Sequence, residues 1–405
     1  MKLRISEISR LWPIAKRRMG STLVSWVERL FSNDKLIKDV FRRKYRKRVL
    51  LCHLPEAFNG KLPKYHSNFT ECYTVAECFD RLGYSVDCTS RMKRGIDYAR
   101  YDIVFGINGN AFMGSFVPGM KVEPLRIFYS VGAQMCYNYR VTSERNIDFH
   151  RRHGSWLLAS NRYIPGDARV YYEEHFSDAV ICLGDSHVVE QFRKEDKDCG
   201  KYRQLSAFYF PVVKSVAEKD FGACRRNILW FGSSGMLHKG LDIAIDFAAE
   251  HREYTLHICG GSRQEKAFWK YYNPIIESHD NIVVHGFVDI KSPLFVRLLE
   301  QCGVLLNPSI SEGGAVSVLN VLGNSPLLPL YSKGTGLDLE QVGVEVESVT
   351  YENFCDALLE LEKLPVEKFA EKALAAHELV KSRYTLENYR NNMYSYIKEI
   401  IEKNR

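Results

Sequence analysis

The residues with the clearest capacity for chemistry lie in three loops of the second half of the chain, each following a short apolar run. The first runs from Gly232-Ser233-Ser234-Gly235 to Lys239 and opens a helical pattern. Glycine and serine let backbone N–H groups come close to an anion, and a helix start adds its partial positive charge. Lys239 would add a full one. The second loop is His285-Gly286-Phe287-Val288, and the third is Pro308-Ser309-Ile310-Ser311-Glu312-Gly313-Gly314, which leads into an apolar stretch at 315–322. In the third loop Glu312 can bind hydroxyl groups, while the two glycines allow a tight turn that aims N–H groups at phosphate. Plainer readings stand beside these. A glycine-rich strand-to-helix turn is common, Lys239 could be a solvated first-turn lysine, and Glu312 could simply cap a helix start, where its charge is favourable anyway.

Three such loops share one rim only if parallel strands precede them. Apolar runs at 227–231, 254–259, 282–284, 304–307 and 327–330 alternate with helical patterns at 239–250, through Phe268 and Ile276, at 293–302 and at 315–322. Helices at 351–364, 366–380 and 385–403 follow. An earlier series has strands at 49–52, 84–88, 102–106, 126–129 and 179–183, with a helix at 70–82 stopping at Gly83. Strand, helix and strand in succession make a right-handed βαβ unit of a parallel sheet. Two series of similar size predict an α/β chain with two doubly wound sheets, each binding ligands beyond the carboxyl ends of its strands. A length of 405 residues, more than one core usually organises, agrees with that.

The order of these segments resembles the family 4 glycosyltransferases of the GT-B fold. The matching run is Phe231-Gly232, His238-Lys239-Gly240-Leu241-Asp242, Leu256-His257-Ile258-Cys259-Gly260, His285-Gly286-Phe287-Val288, Asn307-Pro308-Ser309 with Ser311-Glu312-Gly313-Gly314, and Gly323-Asn324-Ser325-Pro326. It is clear over 223–345 and looser over 49–222, where Asn68-Phe69-Thr70-Glu71, Gly83-Tyr84-Ser85-Val86 and the run 101–106 look like the acceptor half of bacterial surface-polysaccharide transferases. The resemblance implies two Rossmann-like domains facing a central cleft: an acceptor domain at 49–222, a donor domain at 223–384 and a last helix at 385–405 that returns to the first domain. It implies transfer of a sugar from a nucleoside-diphosphate donor to a saccharide or lipid-linked oligosaccharide acceptor in lipopolysaccharide or capsule assembly. Configuration would be retained, with no metal or other cofactor.

Carried over residue by residue, Lys239 matches a lysine on the donor phosphates, Phe287 and Val288 match a loop whose backbone meets the nucleobase, and Glu312 matches the first of two glutamates. Lys239 and Glu312 would then be catalytic, and Gly232, Ser233, Ser234, Gly313, Gly314, Ala315 and Asn320 would complete the donor site. Two positions depart from the pattern. Asn320 stands where the second glutamate belongs, and Ser233 where an arginine often follows the first strand's glycine. Asn320 can still hydrogen-bond a ribose hydroxyl, and Arg263 or Lys333 could supply the missing charge. A transferase-like protein that binds sugar nucleotides without turnover, or a nucleotide-sugar epimerase, stays open as an alternative. A nicotinamide dehydrogenase is disfavoured, because no Gly-x-Gly-x-x-Gly follows the first strand.

For the acceptor the candidates are His66 and Asn68, at the end of the loop after the first strand, with Tyr137 and Arg140. His53, His150, His153, Tyr139 and Arg145 are further polar groups, although a lone histidine is more often structural and 141–152 could be an ordinary charged helix. The net charge of +7 is uneven: residues 1–48 hold fifteen Lys and Arg against four Asp and Glu, a local +11 that leaves −4 for the other 357 residues. Ile5, Ile8, Leu11 and Trp12, then Leu23, Trp26, Val27, Leu30 and Phe31, then Ile37, Val40, Phe41 and Tyr45 keep helical spacing among those cations. Such an arm suits an anionic membrane surface and predicts a peripheral protein on the cytoplasmic face; docking of the same stripes on the protein is the alternative. Nothing downstream points to nucleic acid. The sequence shows neither a spanning apolar run nor a secretory leader, and eleven cysteines without a Cys-x-x-Cys pair suggest reduced thiols rather than zinc or disulfides.

Overall fold

Runs such as Val49-Leu50-Leu51-Cys52, with every side chain withdrawn from water, are too short for helices and become central strands covered on both faces. The computed structural model describes residues 36–58, 66–116, 123–157, 169–196, 199–214, 218–261 and 263–404. The first sheet holds β1 (Leu36–Ile37), β2 (Lys47–His53), β3 (Tyr84–Ser90), β4 (Ile103–Gly106), β5 (Leu125–Ser130), β6 (Ala179–Leu183) and β7 (Tyr202–Leu205), in the order β1-β3-β2-β4-β5-β6-β7. Its helices are α1 (Ser67–Arg81), α2 (Asn110–Met113), α3 (Met135–His153), α4 (Arg169–Phe176) and α5 (Ser186–Glu195). After α6 (Phe221–Cys224) comes a second sheet of β8 (Asn227–Gly232), β9 (Thr255–Gly260), β10 (Ile282–Gly286), β11 (Val304–Asn307), β12 (Leu328–Ser332) and β13 (Val344–Val346). These lie in the order β10-β9-β8-β11-β12-β13, all parallel. Helices α7 (Leu241–Glu250), α8 (Lys266–Glu277), α9 (Pro293–Gln301), α10 (Val316–Leu322), α11 (Tyr351–Lys363) and α12 (Val366–Arg383) accompany it, and α13 (Leu386–Lys403) returns to the first sheet.

The two-sheet architecture expected from the sequence is therefore present. In the first sheet the strand order reverses between β2 and β4, and in the second between β8 and β11. At such a crossing point the loops diverge to opposite faces and leave a crevice at the carboxyl ends. Helix α7 begins two residues later than its pattern suggests. Gly240 sits in the left-handed region at φ +62°, and a Cβ there would come within 2.6 Å of Pro308, so Lys239 belongs to the turn before the helix.

Residues 1–35, with the first two apolar stripes of the basic arm, lie outside the described residues. The third stripe is not a helix. Leu36 and Ile37 pair antiparallel with β3, and Asp39, Arg42 and Lys44 all have positive φ, which no helix accommodates. The Asp39 carboxylate accepts from the amides of Arg43 (3.0 Å) and Lys44 (2.7 Å), and Phe41 packs edge-on against Phe58 and Tyr73. This part of the arm docks on the protein itself.

The two halves meet in three ways. Residues 206–213 lead from β7 toward the second sheet, and the Tyr209 amide donates to the Tyr384 carbonyl (3.0 Å) where the chain crosses back. Beyond that crossing α13 covers α1: Tyr389, Met393, Ile397 and Ile400 share a core with Cys72, Val75 and Phe79, and the Tyr389 and Tyr129 hydroxyls meet at 3.1 Å. The third junction is electrostatic. The end of α3 sends Phe149 into the core of the second half. Beside it the Arg145 guanidinium donates to Asp242 of α7, both side chains at most 1% exposed. Arg152 bonds Asp242 and Asp246 at 2.5 Å each, and His153 Nε2 lies 3.0 Å from Asp246.

Without Arg145, the buried Asp242 would have to share Arg152 with Asp148 and Asp246, three carboxylates on one guanidinium. Arg145→Ala should cost about 3–5 kcal/mol in urea unfolding. The double replacement Arg145→Met with Asp242→Leu should cost less than Arg145→Ala, because it removes one buried charge of each sign and leaves Arg152 with Asp148 and Asp246.

Candidate functional site

Three strands of the second sheet, β8, β9 and β10, each end in a glycine, and beyond them opens a cavity of about 570 Å³. Gly260 is what brings the first two ends together: at φ +89° its hypothetical Cβ would fall 1.6 Å from the Gly232 carbonyl oxygen. Phe231, Cys259, Phe287 and Val288 give the cavity an apolar wall, and Phe287 is 89% exposed. Ser233, Ser234, Arg263 and Ser317 supply the polar groups. A mostly apolar cleft with a few convergent polar groups is the usual form of a small-molecule site. His285, which opens the second loop, pairs with His257 at 3.0 Å, and burial pushes His257 down to about 4.

The first and third loops are bound edge to edge. The Ile310 amide donates to the His238 carbonyl (3.0 Å), His238 Nε2 donates to the Ser311 carbonyl (2.6 Å), and the Trp230 indole N–H holds the Lys239 carbonyl (3.1 Å). This brings together the two residues singled out for catalysis. The Lys239 ammonium donates to Glu312 Oε1, which also accepts from Ser309 Oγ at 2.9 Å, and both side chains are buried. Neither is among the residues lining the cavity, whereas Gly232, Ser233, Ser234, Phe287 and Val288 are.

Two expectations need correction. The amides of Gly235 and Met236 do not face open space: the Glu265 carboxylate accepts from both, at 3.1 Å from Met236. Asn320 does not turn to a ribose. Its Oδ1 accepts from the Phe210 amide (2.9 Å) in the segment joining the two halves. Asn324, one turn on, accepts from Val212 (2.8 Å) and Val213 (2.9 Å) and donates to the Phe210 carbonyl. The residue of α10 that reaches the cavity is Ser317.

The third loop also touches the first half. Ser311 Oγ donates to Asn138 of α3 at 2.8 Å, and a Cβ on Gly313 would meet the Val131 carbonyl oxygen at 2.4 Å. Gly314 lies against Ala207 and Gly184, and Ala315 is buried at the start of α10. Tyr137 and Arg140 share a cavity of about 280 Å³ with Cys136, His187, Gln191 and Lys194. Burial, and after it Lys333, push His187 down to about 4, so the neutral ring can accept from the Tyr137 hydroxyl at 3.3 Å. His66 and Asn68 do not join them. His66 caps α1 with its ring 4.6 Å from that of Phe69, and Asn68 is exposed beside Ser67. Arg145 and His153 are committed to the junction between the halves, and His150 stacks on Trp156 at 4.0 Å. His53, at the end of β2, is buried without a hydrogen-bond partner among the described residues, and burial lowers it to about 4. Among the described residues no cluster of His, Cys, Asp or Glu could hold a metal, and no helix is long and apolar enough to cross a membrane.

No family model matches the chain, and no curated protein matches it in sequence. Solved structures match it in fold. Sucrose-phosphate synthase from Thermosynechococcus elongatus superposes with TM-score 0.63 at 11% identity, covering 88% of this chain and 100% of that one. HepE from Anabaena in complex with UDP gives 0.58 at 11%, covering 88% and 100%. A glycosyltransferase from Rickettsia africae gives 0.55 at 12%, covering 88% and 99%. At such identities the likeness is one of fold, and that fold is the GT-B arrangement.

Glu71 of α1 provides a pH test of this region. It is buried and accepts from the Tyr129 hydroxyl (3.1 Å), and burial raises it to about 7. The folded carboxyl thus keeps its proton after the unfolded one has released it. Its contribution to stability is full below the ordinary carboxylate range and is lost as pH rises through about 7. Denaturant midpoints of Glu71→Gln should lack that decline relative to wild type.

Proposed function

We propose that this protein is a glycosyltransferase that moves a sugar from a nucleoside diphosphate to a saccharide or lipid-linked acceptor, with retention of anomeric configuration, in cell-surface polysaccharide assembly. The observation that carries this reading is the cavity at the crossing point of the second sheet, where a mostly apolar wall and a serine- and glycine-rich rim stand next to the Lys239–Glu312 pair. The base would lie on Phe231, Phe287 and Val288, and the diphosphate beside Ser233 and Ser234. HepE, a structure of this fold, is solved in complex with UDP and with UDP-glucose, which supports the reading.

In this mechanism Lys239 turns toward the phosphates as the bond from the anomeric carbon to the phosphate oxygen breaks and negative charge builds on the leaving group. Glu312 then holds sugar hydroxyls. The acceptor hydroxyl bonds to the anomeric carbon on the face that the phosphate leaves, and its proton passes to the departing phosphate oxygen. Such a step needs no metal and no protein base. The acceptor would enter between α3 and α5, where Tyr137, Arg140 and His187 lie beside the loop that carries Glu312. The commitment of Asn320 to the inter-sheet segment favours one rival, a protein that binds sugar nucleotides without turning them over. A nucleotide-induced shift with no release of nucleotide from any donor sugar would select it.

The test is thermal melting against UDP, GDP, ADP and CMP. One nucleotide should raise the midpoint, since a ligand at a hundredfold excess over its Kd adds about 2.7 kcal/mol to the native state. Lys239→Ala should abolish the shift, and no shift with any of the four would sink the donor-site reading.

The basic residues before β1 fit the same reading. Residues 1–35 hold eight Lys and Arg against three Asp and Glu, together with Trp12 and Trp26. They would hold the protein on the cytoplasmic face of an anionic membrane, beside a lipid-linked acceptor. Deleting them should abolish co-sedimentation with phosphatidylglycerol-containing vesicles; undiminished binding would place the contact elsewhere.

A further inference from the structure

The cavity beyond the second sheet has a cation in its wall that the mechanism above does not use. Arg263 lies in the turn between β9 and α8 and lines the same space as Ser233 and Ser234. Its guanidinium sits 4.1 Å from the ring centroid of Trp269, a side chain only 4% exposed. That ring is itself fitted against Gly261, where a Cβ would approach it to 2.9 Å. A guanidinium resting on an aromatic face keeps its N–H donors around its edge, free to meet an anion in the plane.

The turn is also tied to the first loop. Glu265, two residues on, accepts from the Gly235 and Met236 amides, so the segment carrying Arg263 is held against the loop carrying Ser233 and Ser234. The other positive groups nearby already have anionic partners: Lys239 bonds Glu312, and the two amides bond Glu265. Arg263 is solvent-exposed, and no carboxylate pairs with it among the described residues. An anion entering the cavity would meet this cation without first breaking an ion pair.

We propose that Arg263, carried on Trp269, binds the phosphate groups of a nucleoside diphosphate in this cavity. This rests on the donor-site reading above. Lys333, the other cation considered for that charge, lies instead on the turn after β12, close enough to His187 to bear on its protonation.

Titration calorimetry separates the two claims, with UDP, GDP, ADP, their nucleosides and inorganic pyrophosphate as probes. In wild type at least one diphosphate should bind. Arg263→Gln should weaken that diphosphate by about ten- to a hundredfold, the range for hydrogen bonds to a charged group. The same variant should leave the matching nucleoside unchanged, and Lys333→Gln should bind as wild type does. Equal melting points without ligand would show that the variants are folded, as expected for an exposed position. If wild type binds a diphosphate and Arg263→Gln binds it equally well, or if the loss appears in Lys333→Gln instead, the role given to Arg263 is wrong while the donor site stands. If wild type binds no diphosphate, the donor site itself falls.

Discussion

An arginine and an aspartate from opposite halves of this protein meet with almost no access to water, and the shape of the cleft follows from that meeting. Burying either charge alone would cost several kcal/mol, so the arrangement persists only with every partner in place. Arg145 has Asp148 and Asp242, and Arg152 has Asp148, Asp242 and Asp246. The Tyr272 hydroxyl and His153 complete the shell around Asp246. A cluster this constrained has few acceptable geometries. It sets where α3 lies on α7, and α3 in turn brings Asn138 to the loop that carries Glu312. The distance between the cavity of the second sheet and that beside Tyr137 is thus tied to electrostatics well away from either.

Within the cleft the logic is one of exchange. The Lys239–Glu312 pair is internally neutral, and each member is the partner the other would give up when a ligand arrives. In the proposed mechanism a phosphate would offer Lys239 more negative charge than a carboxylate does, and sugar hydroxyls would solvate Glu312 in return. The pairing is what makes two buried charges tolerable here. Glu265 fills a comparable role for the glycine-rich loop, holding two amides that would otherwise lack acceptors.

Much of the fold was legible because several strands are short apolar runs with every side chain buried; 179–183 and 304–307 match the observed strands end to end. β7 and β13 escaped notice for opposite reasons. Tyr202-Arg203-Gln204-Leu205 carries two polar residues in the middle, and Val344–Val346 is too short to show a period. In the site, the loops were readable from glycine placement, but the direction of side chains was not. Asn320 has the right spacing for a ligand contact, yet it faces the inter-sheet segment, whose position depends on packing more than a hundred residues away in sequence. Sequence alone leaves Arg145 between an acceptor contact and an ordinary charged helix, because its partner, Asp242, lies on a helix of the other half. The cavity beside Tyr137 includes His187 from α5, a pairing that no local pattern announces.

The return of the last helix to the first sheet has a bearing on how the chain comes into being. The face of α1 formed by Cys72, Val75, Ala76 and Phe79 is closed by Tyr389, Met393 and Ile397, more than three hundred residues downstream. During synthesis the amino-terminal sheet can assemble its strands early, but that apolar face has no cover until Leu386–Lys403 has left the ribosome. Until then the nascent chain carries an unfinished hydrophobic surface, and the second sheet emerges while tethered to it. Helix α13 is in that sense the closing stitch of the first sheet, whose completion waits on a segment made after the second sheet.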